Sequence, residues 1–180
     1  LAIDKDQKIL SLLRRPETRN YGFQLLVDTY KERVYSIVRR MVISHDDADD
    51  IVQEVFVRVW ENVDGFREES SLYTWIYRIS VNESLRFLKS KRLKLFLPMM
   101  DASTHLEKLV DDPQHFTGNQ IERKLQKAIL KLPDKQRLVF NMRYYEGFTY
   151  EEISEMLGTS VGALKASYHL AVKKIEKYIE

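Results

Sequence analysis

Between Phe23 and Val42, apolar or aromatic residues fall at Phe23, Leu26, Val27, Tyr30, Val34, Ile37, Val38 and Met41. Steps of three and four place them on one face of a helix. Arg39 and Arg40 close that helix, where cations complement its dipole. A break at Arg14–Asn20, carrying Pro16, separates it from a shorter helix before it. After Ser44 the pattern restarts. Ser44 with Asp47 forms a capping box, and Ala48, Val52, Val55, Val59 and Val63 face inward, widened by Ile51, Phe56 and Trp60. Asp46, Asp50, Gln53, Glu54 and Glu61 fall largely on the other side. Asp64-Gly65 marks a turn and Phe66–Ser71 a polar connector. A long helix follows to Lys94, with Leu72, Trp75, Ile76 and Ile79 as its expected core stripe. No strand signal, repeat or low-complexity tract interrupts these helical patterns, so the fold class is all-α.

Leu95–Asn119 breaks the periodicity. Pro98, Pro113, Gly118 and scattered polar residues mark a flexible linker, with one short apolar piece at Leu106–Val110. Helices are then expected over Gln120–Leu132, closed by Pro133, and over Asp134–Tyr145, with Leu138, Val139, Met142 and Tyr145 inward. The domains therefore read as 1–94, a linker at 95–119, and 120–180. The last of these ends in Thr149–Lys174, which scans as a short helix, a tight turn and a longer helix. Thr149 and Glu152 make a capping box; Ile153, Met156 and Leu157 share a face; Gly158 suits the left-handed end of a helix. Ser160 or Thr159 can cap the next helix, whose Val161, Leu164, Tyr168 and Val172 recur at the helical period. This is the pattern of a helix-turn-helix, whose second helix enters the DNA major groove. An ordinary helical hairpin buried in a core fits the same stretch taken alone.

Composition narrows the chemistry. The 180 residues contain no cysteine, which excludes disulfides, cysteine zinc sites and thiol nucleophiles. No apolar run approaches the roughly 20 residues needed to span a bilayer, and no signal-peptide pattern opens the chain. A cytoplasmic protein is the expectation, with a few residues missing before Leu1. The net charge of +2 says little by itself, but its distribution says more. Ser44 to Asp64 carries seven acidic residues against the one base Arg58, whereas Leu85 to Leu97 carries five bases and no acid. Such separation suggests an acidic surface for one partner and a basic surface for another. In the long helix, Tyr73, Trp75, Tyr77 and Phe87 alternate with Arg78, Arg86 and Lys89. That fits single-stranded nucleic acid, with bases on rings and cations on phosphates, as well as it fits aromatics packed in a core. A calcium loop lacks its glycine and its glutamate, and a His45–Asp46 metal site has no other histidine within sixty residues. No metal, cofactor or catalytic residue is expected.

Three blocks in order, DADDIVQEVFVRVW, SLYTWIYRISVNESLRFLK and LPDKQRLVFNMRYYEGFTYEEISEMLGTSVGALKASYHLAVKKI, resemble the extracytoplasmic-function group of bacterial sigma factors. The likeness covers nearly the whole chain. It implies an N-terminal sigma region 2, a linker threading toward the polymerase active-site channel, and a C-terminal sigma region 4. It assigns Asp49, Asp50, Gln53 and Glu54 to core RNA polymerase. Phe66–Ser71 becomes part of a pocket for a flipped-out base of the minus-ten element, and Arg67, Trp75, Arg78, Asn82, Arg86 and Lys89 contact or help melt that DNA. Thr149, Ser160, Lys165, Ser167, Tyr168, His169 and Lys173 become contacts to the minus-thirty-five element. The commoner family pattern has arginines where this chain has Ser167, Leu170 and Val172. Arginine to guanine is the commonest specific contact, so this departure points toward A·T-rich recognition and more phosphate contact.

The resemblance implies a non-enzymatic promoter-specificity subunit with three partners: core RNA polymerase, promoter DNA and an anti-sigma factor. The rival is a free-standing helix-turn-helix regulator that binds duplex operators without polymerase.

Overall fold

The computed structural model describes the backbone of residues 2–94, 106–114 and 116–180, and within the first stretch the side chains from residue 5 to 91. The described residues are helical or irregular, without a strand. They divide into two compact units, Leu1–Lys91 and Arg92–Glu180.

In the N-terminal unit, α1 (Ala2–Leu13) packs on α2 (Arg19–Val42), and α2 packs on α3 (His45–Asn62). A single 3-10 turn, Val63–Gly65, leads toward α4 (Leu72–Lys94). At Gly22 α2 passes close to the end of α1: a Cβ there would lie 2.8 Å from Leu12 Cβ and 2.9 Å from the Leu13 nitrogen. The α2 stripe buries Leu26, Tyr30, Val34, Ile37, Val38 and Met41, while Phe23 and Val27 are only partly covered. Ile43 turns the chain into α3 at φ 66°, a left-handed conformation that disfavours a β-branched residue. Its side chain is buried, and burial of that size is worth about 1.5–3 kcal/mol, enough to offset the backbone cost.

The α4 core face differs from expectation. Leu72 and Ile76 are buried, but Trp75 and Ile79 are only partly so; the other buried residues of α4 are Tyr73, Thr74, Tyr77, Ser80, Val81, Glu83 and Ser84. Ser80 and Ser84 donate to the Ile76 and Ser80 carbonyls at 2.9 and 2.8 Å, which lets small polar residues sit in the core without an unpaired hydroxyl. The capping box expected at Ser44 is half formed. Ser44 Oγ accepts from the Asp47 N–H at 3.3 Å, but the Asp47 carboxylate turns instead to Lys91 Nζ at 2.5 Å, tying α3 to α4.

The C-terminal unit takes in the whole stretch expected as linker. Of residues 95–119, positions 95–105 and 115 lie outside the described residues, but 106–111 are helical (α5). Leu106 and Val110 are buried. Helix α6 (Gln120–Leu130) starts at an Asn119–Glu122 capping box, followed by α7 (Asp134–Tyr144), α8 (Tyr150–Leu157) and α9 (Val161–Ile179). Arg123 of α6 clamps the preceding segment by donating to the carbonyls of Val110, Asp111, Phe116 and Gly118 at 2.9–3.2 Å. Lys127–Asp111 and Lys131–Glu107 add ion pairs. The core joins Ala128, Ile129 and Leu132 to Phe140 of α7 and to Ala171 and Ile175 of α9.

Candidate nucleic-acid and protein interfaces

Helix α3 is anchored on one side and acidic on the other. Ala48, Ile51, Val55, Phe56 and Val59 are buried, and Asp49, Asp50 and Gln53 are exposed. Glu54 is partly covered because Arg58, one turn on, pairs with it at 2.8 Å and with Glu61 at 3.1 Å. Asp49 lies in the field of Arg39, whose guanidinium is lowered mainly by burial. The acidic face is therefore graded, with Asp50 and Gln53 farthest outward and Asp49 and Glu54 shared with nearby cations. Val57, 48% exposed, sits one turn beyond Gln53 on this face. Sequence reasoning passed it over because a valine in a valine-rich helix reads as core.

His45, at the first turn of α3, bonds Tyr35 Oη through Nδ1 at 2.6 Å and faces Arg39 Nη2 through Nε2 at 3.2 Å. Since arginine can only donate, Nε2 is the acceptor and Nδ1 carries the proton. Both ring nitrogens are engaged in hydrogen bonds. Among the described residues no group of three or more His, Asp or Glu converges.

On α4 the expected DNA residues Trp75, Arg78, Asn82, Arg86 and Lys89 follow steps of 3, 4, 4 and 3 and so share one stripe. Arg78, Asn82, Arg86 and Lys89 are exposed, opposite the buried face. Trp75 is half-buried against Phe66, ring centroids 5.2 Å apart. Tyr73 and Tyr77 are buried and belong to the core: Tyr73 stacks at 6.1 Å on Tyr30 and takes the Arg33 guanidinium 3.4 Å from its centroid. Of the two aromatic readings, core packing holds for these tyrosines. Glu83, also buried, is held by Arg86 at 3.1 Å and approached by Arg58 at 3.8 Å. One face of α4 is thus rich in cations and amide, with an indole at its N-terminal end beside the exposed Arg67 loop.

In the C-terminal unit the turn is built locally. Thr149 Oγ1 accepts from the Glu152 N–H at 3.1 Å while Glu152 takes the Thr149 N–H at 2.7 Å. Gly158 adopts φ 63°, ψ 29°, and Ser160, not Thr159, caps α9 through the Ala163 N–H. The hydroxyls of Thr149 and Ser160 are therefore committed to caps. Along α9, Leu164, Ala171 and Ile175 are buried, while Lys165, His169 and Lys173, four residues apart, form an exposed stripe. The Tyr168 ring stacks on Phe140 at 5.7 Å and meets Tyr150 edge-on at 6.4 Å; burial pushes its phenol up. Ser167 is half-buried. Arg143 and Lys165 flank the Tyr150 ring at 5.1 and 5.7 Å, concentrating positive charge beside the turn. Of the positions departing from the commoner arginine pattern, Leu170 is the exposed one, at 48%.

Two family models match the chain, sigma-70 region 2 over residues 26–93 and sigma-70 region 4 over residues 122–175. Similar proteins include the ECF RNA polymerase sigma-E factor of Haemophilus influenzae, 30% identical over 97% of this chain and 95% of that protein. The ECF RNA polymerase sigma factor SigW of Bacillus subtilis is 31% identical over 88% and 89%. Among solved structures, CnrH in complex with the cytosolic domain of CnrY superposes with TM-score 0.68 at 21% identity, covering 97% of this chain and 96% of that one. RpoE in complex with the anti-sigma factor NepR from Bartonella quintana gives TM-score 0.68 at 19% identity, over 87% and 96%. At these identities the two structures show a shared fold.

Proposed function

The chain belongs to the ECF group of RNA polymerase sigma factors, the transcription initiation subunits, and on that premise we propose how its surfaces divide the work. The division into residues 1–94, a connecting segment and 120–180 is taken as polymerase docking with minus-ten opening, followed by minus-thirty-five binding. Asp49, Asp50, Gln53 and Glu54 dock core polymerase, and exposed Val57 adds an apolar contact at the end of that face. An acidic patch on a rigid helix steers and orients association with a basic partner. The stripe Trp75, Arg78, Asn82, Arg86 and Lys89, with Arg67 in the adjoining loop, engages the minus-ten strand. Extracting a base costs a few kcal/mol, and cations along α4 recover part of that from the phosphates.

In α9 the contacts fall to Lys165, His169 and Lys173. Thr149 and Ser160 act as caps that order the N-termini of α8 and α9. Tyr168 and Ser167 position α9 from its inner side. With lysines and a histidine on the outer face and Leu170 among them, shape and phosphate carry more of the recognition than guanine does. No catalytic role is assigned to any residue. The work requires polymerase and DNA, which places the protein in the cytoplasm. The solved relatives held by CnrY and NepR motivate an anti-sigma partner for this chain as well.

The observation that carries this reading is the pair of opposed faces in one unit, acidic and outward on α3, cationic and outward on α4. The test is promoter selection from random DNA by core polymerase reconstituted with this protein. Alanine at Arg78 and Asn82 is expected to abolish opening, read by permanganate reactivity, while polymerase binding stays intact. Alanine at Lys165 and Lys173 is expected to weaken upstream binding and to lower its log–log salt slope by about 0.9 for each phosphate that is no longer neutralised. Opening unaffected by the α4 changes would contradict the assignment.

A further inference from the structure

The loop between α3 and α4 is gripped at two points from the α1–α2 corner. Arg19, at the start of α2, donates through Nη1 to both oxygens of the Asp64 carboxylate at 2.7 and 2.9 Å, and its guanidinium lies 4.6 Å from the Trp60 ring centroid. Four residues beyond Asp64, Glu68 accepts from Gln7 Nε2 at 2.9 Å on one oxygen and from the Arg14 guanidinium on the other. Glu68 holds φ 58°, the left-handed region that a residue with a Cβ disfavours. Between the two pins lies Phe66, buried against Trp75, and beside it Arg67, exposed. After Glu68, Ser71 Oγ accepts from the Thr74 N–H at 3.0 Å and fixes the loop to α4. The hydrogen bonds from Gln7 and Arg14 hold the Glu68 carboxyl below its usual range, and Arg19 does the same for Asp64.

Magnitude decides what such pins are for. Exposed ion pairs contribute little to global stability. A binding pocket, however, works only when its groups are held to roughly 0.5 Å, and a loop of nine residues does not hold itself. Two tertiary pins on one short connector, one at a strained backbone position, fit a device for geometry. Gln7, Arg14 and Arg19 all precede residue 26, where the match to sigma-70 region 2 begins.

Resting on the reading of residues 66–71 as part of a base pocket, we propose that the α1–α2 corner is a brace that sets minus-ten base discrimination. Gln7 and Arg14 act through Glu68, and Arg19 through Asp64. All are positioning residues; none need touch DNA.

The test uses full-length protein assembled with core polymerase and a pool of fork-junction DNA randomised across the minus-ten positions of the non-template strand. Base discrimination at one position commonly amounts to roughly five- to hundredfold. Gln7→Ala with Arg14→Ala is expected to flatten the preference at one position by about tenfold, with polymerase affinity unchanged. Glu68→Gly is the sharper variant, because glycine accepts φ 58° freely and loses only the pins. It is expected to flatten the same position. The charge exchange Arg14→Glu with Glu68→Arg is expected to restore part of the preference, which a loss of loop backbone alone would not allow.

An unchanged profile in both pin variants overturns the brace, and so does a flattened profile that the exchange leaves wholly unrestored. Arg67→Ala with Glu69→Ala, at the loop tip, separates the two layers of the claim. If the tip changes the profile and the pins do not, the brace fails and the pocket reading stands. If neither changes it, the pocket reading fails and takes the brace with it.

Discussion

The loop at residues 63–71 and the turn of the helix-turn-helix solve one problem in opposite ways. In the function proposed above, each presents polar chain at a fixed angle to nucleic acid. The turn uses bonds between residues three apart: Thr149 with Glu152, and Ser160 with Ala163, around a left-handed glycine. The loop depends on partners 45, 54 and 61 residues away in sequence. A locally determined turn keeps its shape whenever its helices form. A loop pinned from a distance keeps its shape only while the α1–α2 corner is in place, so its shape is open to change from elsewhere. Damage to the turn is therefore expected to read as lost stability, and damage to the loop as lost selectivity.

The largest effect is expected where the turn meets its core. Ile153 and Leu164 are almost fully buried on either side of Gly158, and truncating either to alanine is expected to cost about 2–5 kcal/mol in urea unfolding of the C-terminal unit. A loss below about 1 kcal/mol would show that the turn does not depend on those helices. Next comes Arg123→Ala, which removes a charged donor from four carbonyls. About 2 kcal/mol is expected, together with faster amide exchange over residues 106–118. Exchange unchanged there would mean that apolar burial and the Lys127 and Lys131 ion pairs hold the segment without Arg123.

Gly158→Ala follows, at about 1–2 kcal/mol, since open space surrounds the position and only the backbone conformation resists. Thr149→Ala is expected to cost about 1 kcal/mol. The smallest effect belongs to the loop. Glu68 and Asp64 have folded-state pKa values depressed by their partners, so their contribution is present above the ordinary carboxylate range and is lost as pH falls through the lowered values. The small difference in melting temperature between wild type and Glu68→Gly, in which the added backbone freedom is independent of pH, is expected to shift below about pH 4 and stay constant above about pH 6. A difference that is flat through the acid range would show that neither Gln7 nor Arg14 holds the Glu68 carboxylate in solution.

The same contrast explains what the sequence made legible. Caps and stripes are local: Thr149, Gly158 and most of the α2 face followed from residue spacing, and the α9 cap was narrowed to Ser160 or Thr159. The acidic side of α3 followed too, because charge on an amphipathic helix has one place to go. Helix α4 was harder. Both of its sides carry rings, and only tertiary partners such as Tyr30 and Arg33 decide that Tyr73 is core while Trp75 lies half-out beside Phe66. At Ser44 the local rule promised a reciprocal box, and a distant lysine took the carboxylate instead. Residues 106–111 carried loop composition, and their helix rests on apolar burial and an arginine clamp that no window of sequence contains. Nothing near Glu68 signals Gln7 or Arg14.

Both halves of the comparison presuppose a protein that works on polymerase, docked through the acidic face of α3. The direct measurement is co-elution of the protein with bacterial core RNA polymerase, wild type beside Asp50→Lys with Glu54→Lys, both checked for an unchanged melting temperature. The expected result is a stable complex for wild type and an at least roughly tenfold weaker one for the reversal. Equal retention of both proteins would contradict the assigned docking face, and tight duplex binding by the protein alone, with no polymerase complex, would contradict the sigma-factor mechanism as a whole.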